Sequence, residues 1–216
     1  MHVGTCCRNT LPFYWTSNPV TVPSKAERPL LTPAGEEQTV KAANFFLEKF
    51  LEGLPAPQSY YSSPLSRCTT TANLTFASLD LPRERPFRPV IKEYLREGVS
   101  IHTCDRRSNR TYISSIFEPE NPLTFEEGFA EFDGLWDGVL VESRSSQEWR
   151  SKVVLDDIFT ADGNTWLSIA SHSGEVRTLL SVLGHRTFRL STGQIIPVLV
   201  RATYVDEEEP ATATEP

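Results

Sequence analysis

Apolar residues follow two different spacings along the chain, one helical and one strand-like. Thr32 before Pro33, followed by two glutamates, predicts the start of a helix, and Gly53 with Pro55 predicts its end. Between these signals the apolar side chains recur every three or four residues. They predict one buried stripe, formed by Val40, Ala43, Phe46, Leu47, Phe50, Leu51 and Leu54.

The same two spacings continue along the rest of the chain. Further helices are predicted over residues 64–77, 145–159 and 175–183. Their inward-facing side chains are predicted to be Trp149, Val153, Ile158, Phe159, Val176, Leu179, Leu180 and Leu183. Strands are predicted for the β-rich runs at residues 58–62, 90–94, 165–170 and 195–203.

Strands that alternate with helices favour an α/β fold. We expect a three-layer α/β/α domain in which helices cover both faces of a mostly parallel sheet. Residues 100–135 interrupt this order, because they are polar, contain two prolines and show neither spacing. We expect them to form an insertion.

Length and charge fit one domain with a short tail. The 216 residues suit a single domain over residues 1–205, of which 1–30 form a divergent start. The formal net charge is −7, but residues 206–216 carry five carboxylates and no lysine or arginine. We expect this acidic tail to be disordered, and the near-neutral remainder has no basic surface for a nucleic acid.

Cysteine spacing and hydropathy argue against several other classes of protein. The four cysteines form no CxxC pair and are too few for a disulfide framework, so we expect neither a metal site nor a redox site. No apolar run reaches the ~18 residues that cross a bilayer, and the start of the chain does not look like a secretory signal. We therefore expect a cytoplasmic protein that has no membrane contact and needs no cofactor.

Three chemically active side chains each follow a predicted strand: Arg67, Glu97 and His172. Each of them alone is more often a surface or capping residue. The carboxyl ends of parallel strands open into one crevice, however, so the three can converge there. A cation, a histidine and a helix N-terminus at one place are suited to binding an anion.

Four short motifs resemble, in order, landmarks of the histidine phosphatase superfamily. They are Leu31-Thr-Pro-Ala-Gly-Glu-Glu-Gln38, Ser63-Pro-Leu-Ser-Arg67 with Thr71 and Ala72, Leu95-Arg-Glu97, and Ser171-His-Ser-Gly174. Residues 102–107, 132–136 and 188–197 also look like fungal phosphoglycerate mutase-like proteins. The resemblance covers about residues 30–204, and the order of the motifs makes it more specific than any one of them.

The resemblance implies a phosphate pocket and gives its residues roles. Arg67 resembles the pocket's second arginine, His172 its second histidine, and Glu97 the acid that protonates the leaving oxygen. Gly174 and the helix start after it resemble the backbone that approaches the anion. The candidate substrate or anion ligands are Arg67, Ser171, Ser173 and Gly174.

The start of the chain departs from the family pattern. Members begin with a strand that ends in Arg-His-Gly or Arg-His-Ala, whose histidine is the nucleophile, but residues 1–30 contain only His2. Aligning His2 leaves no strand before it, whereas aligning residues 5–7 puts Cys6 in the nucleophile's place. We expect the motif to be missing, through a real loss or a mis-predicted gene start. Without a nucleophile, the route through a phospho-enzyme is closed.

Three functions stay open at this point. The first is a repurposed acid–base enzyme of lyase, isomerase or cyclase type, which uses Glu97 and His172 on a polar or anionic small molecule, in a setting such as fungal specialised metabolism. The second is a phosphomonoester hydrolase of the histidine phosphatase family. The third is a non-catalytic binding protein. The residues do not define the oligomeric state.

Overall fold

The computed structural model describes residues 31–115, 117, 122–188 and 190–203. The α-helices in these ranges are α1 (Pro33–Leu51), α2 (Ser66–Phe76), α3 (Arg110–Ser114), α4 (Arg144–Ala161) and α5 (Ser173–Val182). The strands are β1 (Ser59–Ser62), β2 (Pro89–Ile91), β3 (Thr124–Phe125) and β4 (Leu167–Ala170). Short 3-10 helices span Glu93–Leu95 and Thr103–Asp105.

The four strands form one sheet in the order β3-β2-β1-β4, and each neighbouring pair is parallel. The chain returns from β1 to β2 through α2, and from β3 to β4 through α4. Because all strands run the same way, their carboxyl ends lie at one edge of the sheet. The parallel sheet expected from the alternation of strands and helices is confirmed.

Helices cover both faces of the sheet, as two successive tyrosines of β1 illustrate. Tyr60 packs on one face in a cluster with Phe46 of α1 and Phe76 of α2. Tyr61 packs on the other face in a cluster with Ile158 of α4 and Leu179 of α5. Successive strand residues point to opposite faces, so two cores form on the two sides of one sheet. The expected three-layer α/β/α architecture is confirmed.

Helix α1 begins where its capping residues predict, but its buried face differs from the predicted stripe. The Thr32 hydroxyl accepts the N–H of Gly35 at 3.1 Å, and Pro33 is the first helical residue. Within the stripe, Ala43 and Phe46 are buried. Val40, Leu47 and Leu51 are exposed, which corrects the prediction. The helix packs against α2, and these three side chains are not among the residues that it buries.

Two other predictions from the apolar pattern are wrong. Trp149 is exposed at the start of α4, because the buried side of that turn carries Arg150 and its polar contacts instead. Residues 195–203 form no strand within the described ranges. Pro197 lacks an N–H for a sheet ladder, and the apolar side chains on either side of it pack against the α5 cluster.

Residues 100–135 are joined to the rest of the fold by buried contacts. They supply β3, which extends the sheet beyond β2, and Ile113 of α3 packs on Ile91. Arg96 is fully buried and donates to both carboxylate oxygens of Asp133 at 2.8 Å. It also donates to the carbonyl of Asp105 at 2.6 Å. One arginine therefore anchors two separate parts of this segment beside the end of β2.

The divergent start at residues 1–30 and the acidic tail at 206–216 lie outside the described residues. Cys68 and Cys104 are buried thiols. Within the described ranges, no helix combines the length and apolar character needed to cross a bilayer.

Candidate functional site

Ser63 and His172 meet at the carboxyl ends of two paired strands. Ser63 follows β1 directly, and His172 lies two residues after β4 at the N-cap position of α5. The Ser63 N–H donates to the carbonyl of Ala170 at 2.9 Å, which continues the strand pairing. The Ser63 Oγ then lies 2.7 Å from Nε2 of His172, and both side chains are fully buried.

Ser63 is hydrogen-bonded to two groups. Its Oγ accepts the N–H of Leu65 at 3.3 Å and also pairs with Nε2 of His172. The contact with Nε2 fixes the orientation of the imidazole ring. Ser63 lies inside one of the sequence motifs but was not predicted as a site residue.

Glu97 approaches the same helix end from the loop after β2. Its Oε2 accepts the N–H of Gly174 at 3.1 Å, and its Oε1 accepts the N–H of Gly98 at 3.0 Å. A Cβ on residue 174 would lie 2.2 Å from Oε1, so only glycine leaves room for the carboxylate. Glu97 remains partly exposed, unlike His172. The predicted residues Glu97 and His172 thus both lie at the N-terminal end of α5.

The other predicted anion ligands have different surroundings. Ser171 is fully buried, and its Oγ donates to the carbonyl of Leu95 at 2.7 Å, which ties β4 to the loop that carries Glu97. Ser173 is the first residue of α5 and is partly exposed. Of the two serines, Ser173 is therefore the one with a surface open to a ligand.

Arg67 is buried at the start of α2 and points towards the 3-10 helix Thr103–Asp105. Its Nη1 donates to the carbonyl of Cys104 at 2.5 Å, and its Nη2 lies 3.9 Å from Oδ1 of Asp105. Among the described residues, no hydrogen bond joins Arg67 to His172 or Glu97. The sequence predicted the helical turn that carries Arg67, whereas its partners come from a segment without a recognisable spacing.

Glu175 is a buried carboxyl group that sequence reasoning missed. It follows Gly174 in α5 and contacts Gln147, Arg150 and Ser151 on one face of α4. Burial raises the pKa of Glu175 to about 7, against the opposing effect of the Arg150 guanidinium. No sequence signal could have identified it, because its partners lie on another helix more than twenty residues away.

Metal binding finds no support in the described part of the chain, where no three His, Cys, Asp or Glu side chains are grouped to hold an ion. His172 is the buried histidine of these residues, since His102 and His185 are exposed. The two positions considered for a nucleophile, His2 and Cys6, lie outside the described residues. Glu97 and His172 are side chains that can transfer protons and form hydrogen bonds, and both lie at the N-terminal end of α5.

The described chain is an α/β protein in which Glu97 and His172 lie beyond the carboxyl ends of parallel strands. No family model matches the chain. It is 45% identical over 171 residues to a probable phosphoglycerate mutase of Arthroderma benhamiae, covering 79% of this chain and 50% of that protein. It is 35% identical over 171 residues to phosphomutase-like protein 3 of Candida albicans, covering 79% of this chain and 51% of that protein.

The chain is thus similar in sequence to phosphoglycerate mutase-like proteins, in agreement with the resemblance that its motifs predicted. It spans about half the length of the curated relatives it matches. Among solved structures it is similar to the alpha-ribazole phosphatase from Shigella flexneri, with a TM-score of 0.48 and 16% identity. That match covers 77% of this chain and 76% of the other.

Proposed function

We propose that this chain acts on small phosphate monoesters, with Glu97 as the proton-transfer group and His172 as a partner of the phosphoryl oxygens. The observation that carries the proposal is the convergence of Glu97, His172 and the α5 N-terminus at the carboxyl ends of the strands. The names of the two curated relatives support phosphate esters as the substrate class.

Each group has a defined role in this chemistry. In a direct displacement, water attacks the phosphorus while the P–O bond to the ester oxygen breaks. Glu97 gives a proton to that oxygen and takes one back from the attacking water. Glu97 is partly exposed and held by two backbone N–H groups, so it is accessible and oriented. The positive end of the α5 helix dipole favours an anion beside His172. The phosphoryl acceptor is assigned to none of the described residues.

A repurposed acid–base enzyme is the second candidate, and the position of Arg67 favours it. In the family's pocket an arginine grips the phosphoryl oxygens, whereas this guanidinium is engaged by the Cys104 carbonyl and lies near Asp105. An arginine held in this way contributes less to binding a phosphate dianion. Elimination or isomerisation of a polar molecule by Glu97 and His172 needs no such grip.

The proposal is tested by comparing two histidine substitutions. We expect His172→Asn to lower the kcat for 4-nitrophenyl phosphate or 3-phosphoglycerate about a hundredfold, because the shorter asparagine amide cannot present an imidazole N–H to the phosphoryl oxygens in the transition state. His185→Asn replaces an exposed histidine and should change kcat less than about twofold. Steady-state kinetics with both variants, together with their melting temperatures, provide the measurement.

The outcomes separate the candidate functions. Equal turnover by the wild type and His172→Asn at similar melting temperatures would contradict the role of His172. If the wild type binds inorganic phosphate but hydrolyses neither ester, the acid–base candidate or a binding protein is favoured instead. Peptide mass spectrometry after rapid quenching then reports whether His2, Cys6 or another residue carries phosphate during turnover.

A further inference from the structure

Glu175 is fully buried next to Gly174, yet the proposed chemistry does not use it. Its side chain reaches from α5 to α4, where polar groups on one helix face meet it. Arg150 Nη1 lies 3.0 Å and Gln147 Nε2 2.9 Å from its Oε2. Ser151 Oγ lies 2.6 Å from its Oε1. The Glu175 carboxyl group is therefore held between α5 and α4 by three side chains.

The Ser151 hydroxyl indicates where a proton lies in this cluster. Its Oγ is 2.8 Å from the carbonyl of Gln147 and 2.6 Å from Oε1 of Glu175. If Glu175 is ionised, the Gln147 carbonyl and Oε1 of Glu175 are both acceptors. The single Ser151 hydroxyl proton can then be donated to only one of these two oxygens. If Oε1 of Glu175 carries a proton, it donates to Ser151, and Ser151 donates to Gln147. Every polar group of this relay then has its partner.

The charges around Glu175 favour the same neutral state. Burial raises its pKa to about 7, although Arg150 and the hydrogen bonds from Ser151 and Gln147 lower it, and the Glu97 carboxylate raises it further. Arg150 is also paired with Glu142, through contacts of 2.8 and 3.0 Å. The charged groups that face Glu175 are therefore Arg150 of α4, which shares its charge with Glu142, and Glu97 of the loop after β2.

The same cluster holds both sides of the Glu97–Gly174 hydrogen bond. Arg150 Nη1 donates to the carbonyls of Tyr94 and Arg96, at 2.7 and 2.9 Å, in the segment that leads directly to Glu97. Glu175 follows Gly174, whose N–H binds Glu97. Helix α4 thus fixes the loop through Arg150 and fixes the start of α5 through Glu175.

We propose that Glu175 is the positioning residue of Glu97 and that it acts as a neutral carboxylic acid. In this form it joins α5 to the Ser151–Gln147 relay and holds the N–H of Gly174 against Glu97. When it ionises, the relay loses a proton and a second negative charge stands beside Glu97. The expected effect on kcat rests on the proposed function, whereas the expected effect on the position of the Gly174 N–H does not.

The test uses Glu175→Gln, which copies the neutral acid. Its amide N–H can donate to Ser151, and its carbonyl can accept from Arg150 and Gln147. Near pH 6 we expect Glu175→Gln to hydrolyse 4-nitrophenyl phosphate with the same kcat as the wild type. The ratio of the variant's kcat to the wild-type kcat should then rise about fivefold by about pH 8.5. KM should stay within about twofold. Glu148→Gln, on the solvent side of α4 where Glu148 pairs with Arg144, is the matched control with a constant ratio.

An NMR measurement tests the position of Gly174 without any substrate. In the full chain, we expect the amide resonance of Gly174 to shift with pH around a midpoint near 7, in step with Glu175. This step should be absent in Glu175→Gln and retained in Glu148→Gln. A step that survives Glu175→Gln contradicts the proposal, and so does a variant whose kcat is reduced at every pH. A third outcome is that the wild type hydrolyses no phosphomonoester and still shows the pH-dependent shift of Gly174, with that shift lost in Glu175→Gln. This result supports the positioning role and rejects the proposed function.

Discussion

At the scale of single residues, the site depends on the absence of a side chain at position 174. The Glu97 carboxylate occupies the space that a Cβ of residue 174 would fill, only 2.2 Å from the nearest carboxylate oxygen. The φ angle of Gly174 is not in the left-handed region, so the requirement is for space and not for backbone freedom. Gly174 therefore sets how closely the acid can approach the helix N-terminus.

Gly174→Ala should separate activity from stability. The added methyl group displaces the Glu97 carboxylate, and a displacement of this size lowers kcat roughly ten- to a hundredfold. The melting temperature should change by only a few degrees, since alanine suits a helix and Glu97 can swing towards solvent. Gly163→Ala is the control, because a Cβ there meets no atom within 4 Å. A Gly174→Ala protein with wild-type kinetics would contradict the placement of Glu97.

The sequence identified part of this site because local motifs place residues at strand ends. Glu97 and His172 each follow a strand, and the parallel sheet brings them to the same helix end. Ser63 obeys the same rule and could have been predicted by it. Glu175 could not, because its environment depends on how α4 packs against α5. Which side chain touches which across two helices is decided by tertiary packing and not by spacing along the chain.

At the scale of elements, leucine side chains are buried on α5 but exposed at the end of α1. Leu180 of α5 is 2% exposed and packs with Val176 and Leu190, whereas Leu51 at the end of α1 is 83% exposed. The apolar spacing predicted both side chains to be buried. Apolar spacing defines a helix reliably, but the width of its buried face depends on the partner that the helix meets.

Two leucine substitutions check this difference directly. Leu180→Ala should lower the free energy of unfolding by about 2–5 kcal/mol, because it removes buried methyl groups and leaves a cavity. Leu51→Ala should change it by less than about 0.5 kcal/mol, because the side chain is in water in both states. Urea unfolding followed by circular dichroism measures both values. Equal losses for the two variants would mean that the end of α1 is covered in the folded protein.

Helix ends were predicted more reliably than strands, for a physical reason. The start of α1 is specified by Thr32 and Pro33 alone, since capping involves neighbours only three residues apart. A strand needs a partner that the local sequence does not contain. Residues 195–203 have the composition of a strand, but Pro197 and the packing of their side chains on α5 exclude them from the sheet. Residues 124–125 lack a strand-like pattern and still pair with β2.

At the scale of the whole molecule, buried charges link the site to overall stability. Arg96 with Asp133 and Arg150 with Glu142 form buried ion pairs, and Arg150 also contacts the Glu175 carboxyl group. These contacts join the loop after β2 to the segments that follow it. Buried ion pairs add little net stability compared with apolar packing, but losing one partner leaves a costly unpaired charge. Replacing one partner of such a pair is therefore expected to destabilise the loops that carry Glu97. We expect the protonation state of Glu175 to affect the free energy of unfolding of the whole domain.

The free energy of unfolding should fall as the pH rises from about 5 to about 7. Glu175 has an ordinary pKa of 4.5 when exposed and a pKa of about 7 when buried in the folded protein. Between these pH values the folded state keeps a proton that the unfolded state has released. The unfolded state therefore becomes more stable relative to the folded state as the pH rises. The loss is on the order of 3 kcal/mol and is complete above the folded-state pKa. The lowered pKa values of Asp133 and Asp162 act in the opposite direction and only at more acidic pH.

Glu175→Gln isolates this contribution, because glutamine cannot ionise. Urea unfolding at several pH values between about 5 and 8 should give the variant a flatter stability profile than the wild type. The variant should be the more stable protein above pH 7, since its neutral amide is buried without the cost of ionisation. Glu148→Gln should follow the wild-type profile at each pH. Parallel profiles for wild type and Glu175→Gln would mean that Glu175 is already ionised in the folded protein at acidic pH, and both the stability link and the neutral relay through Ser151 would then be wrong.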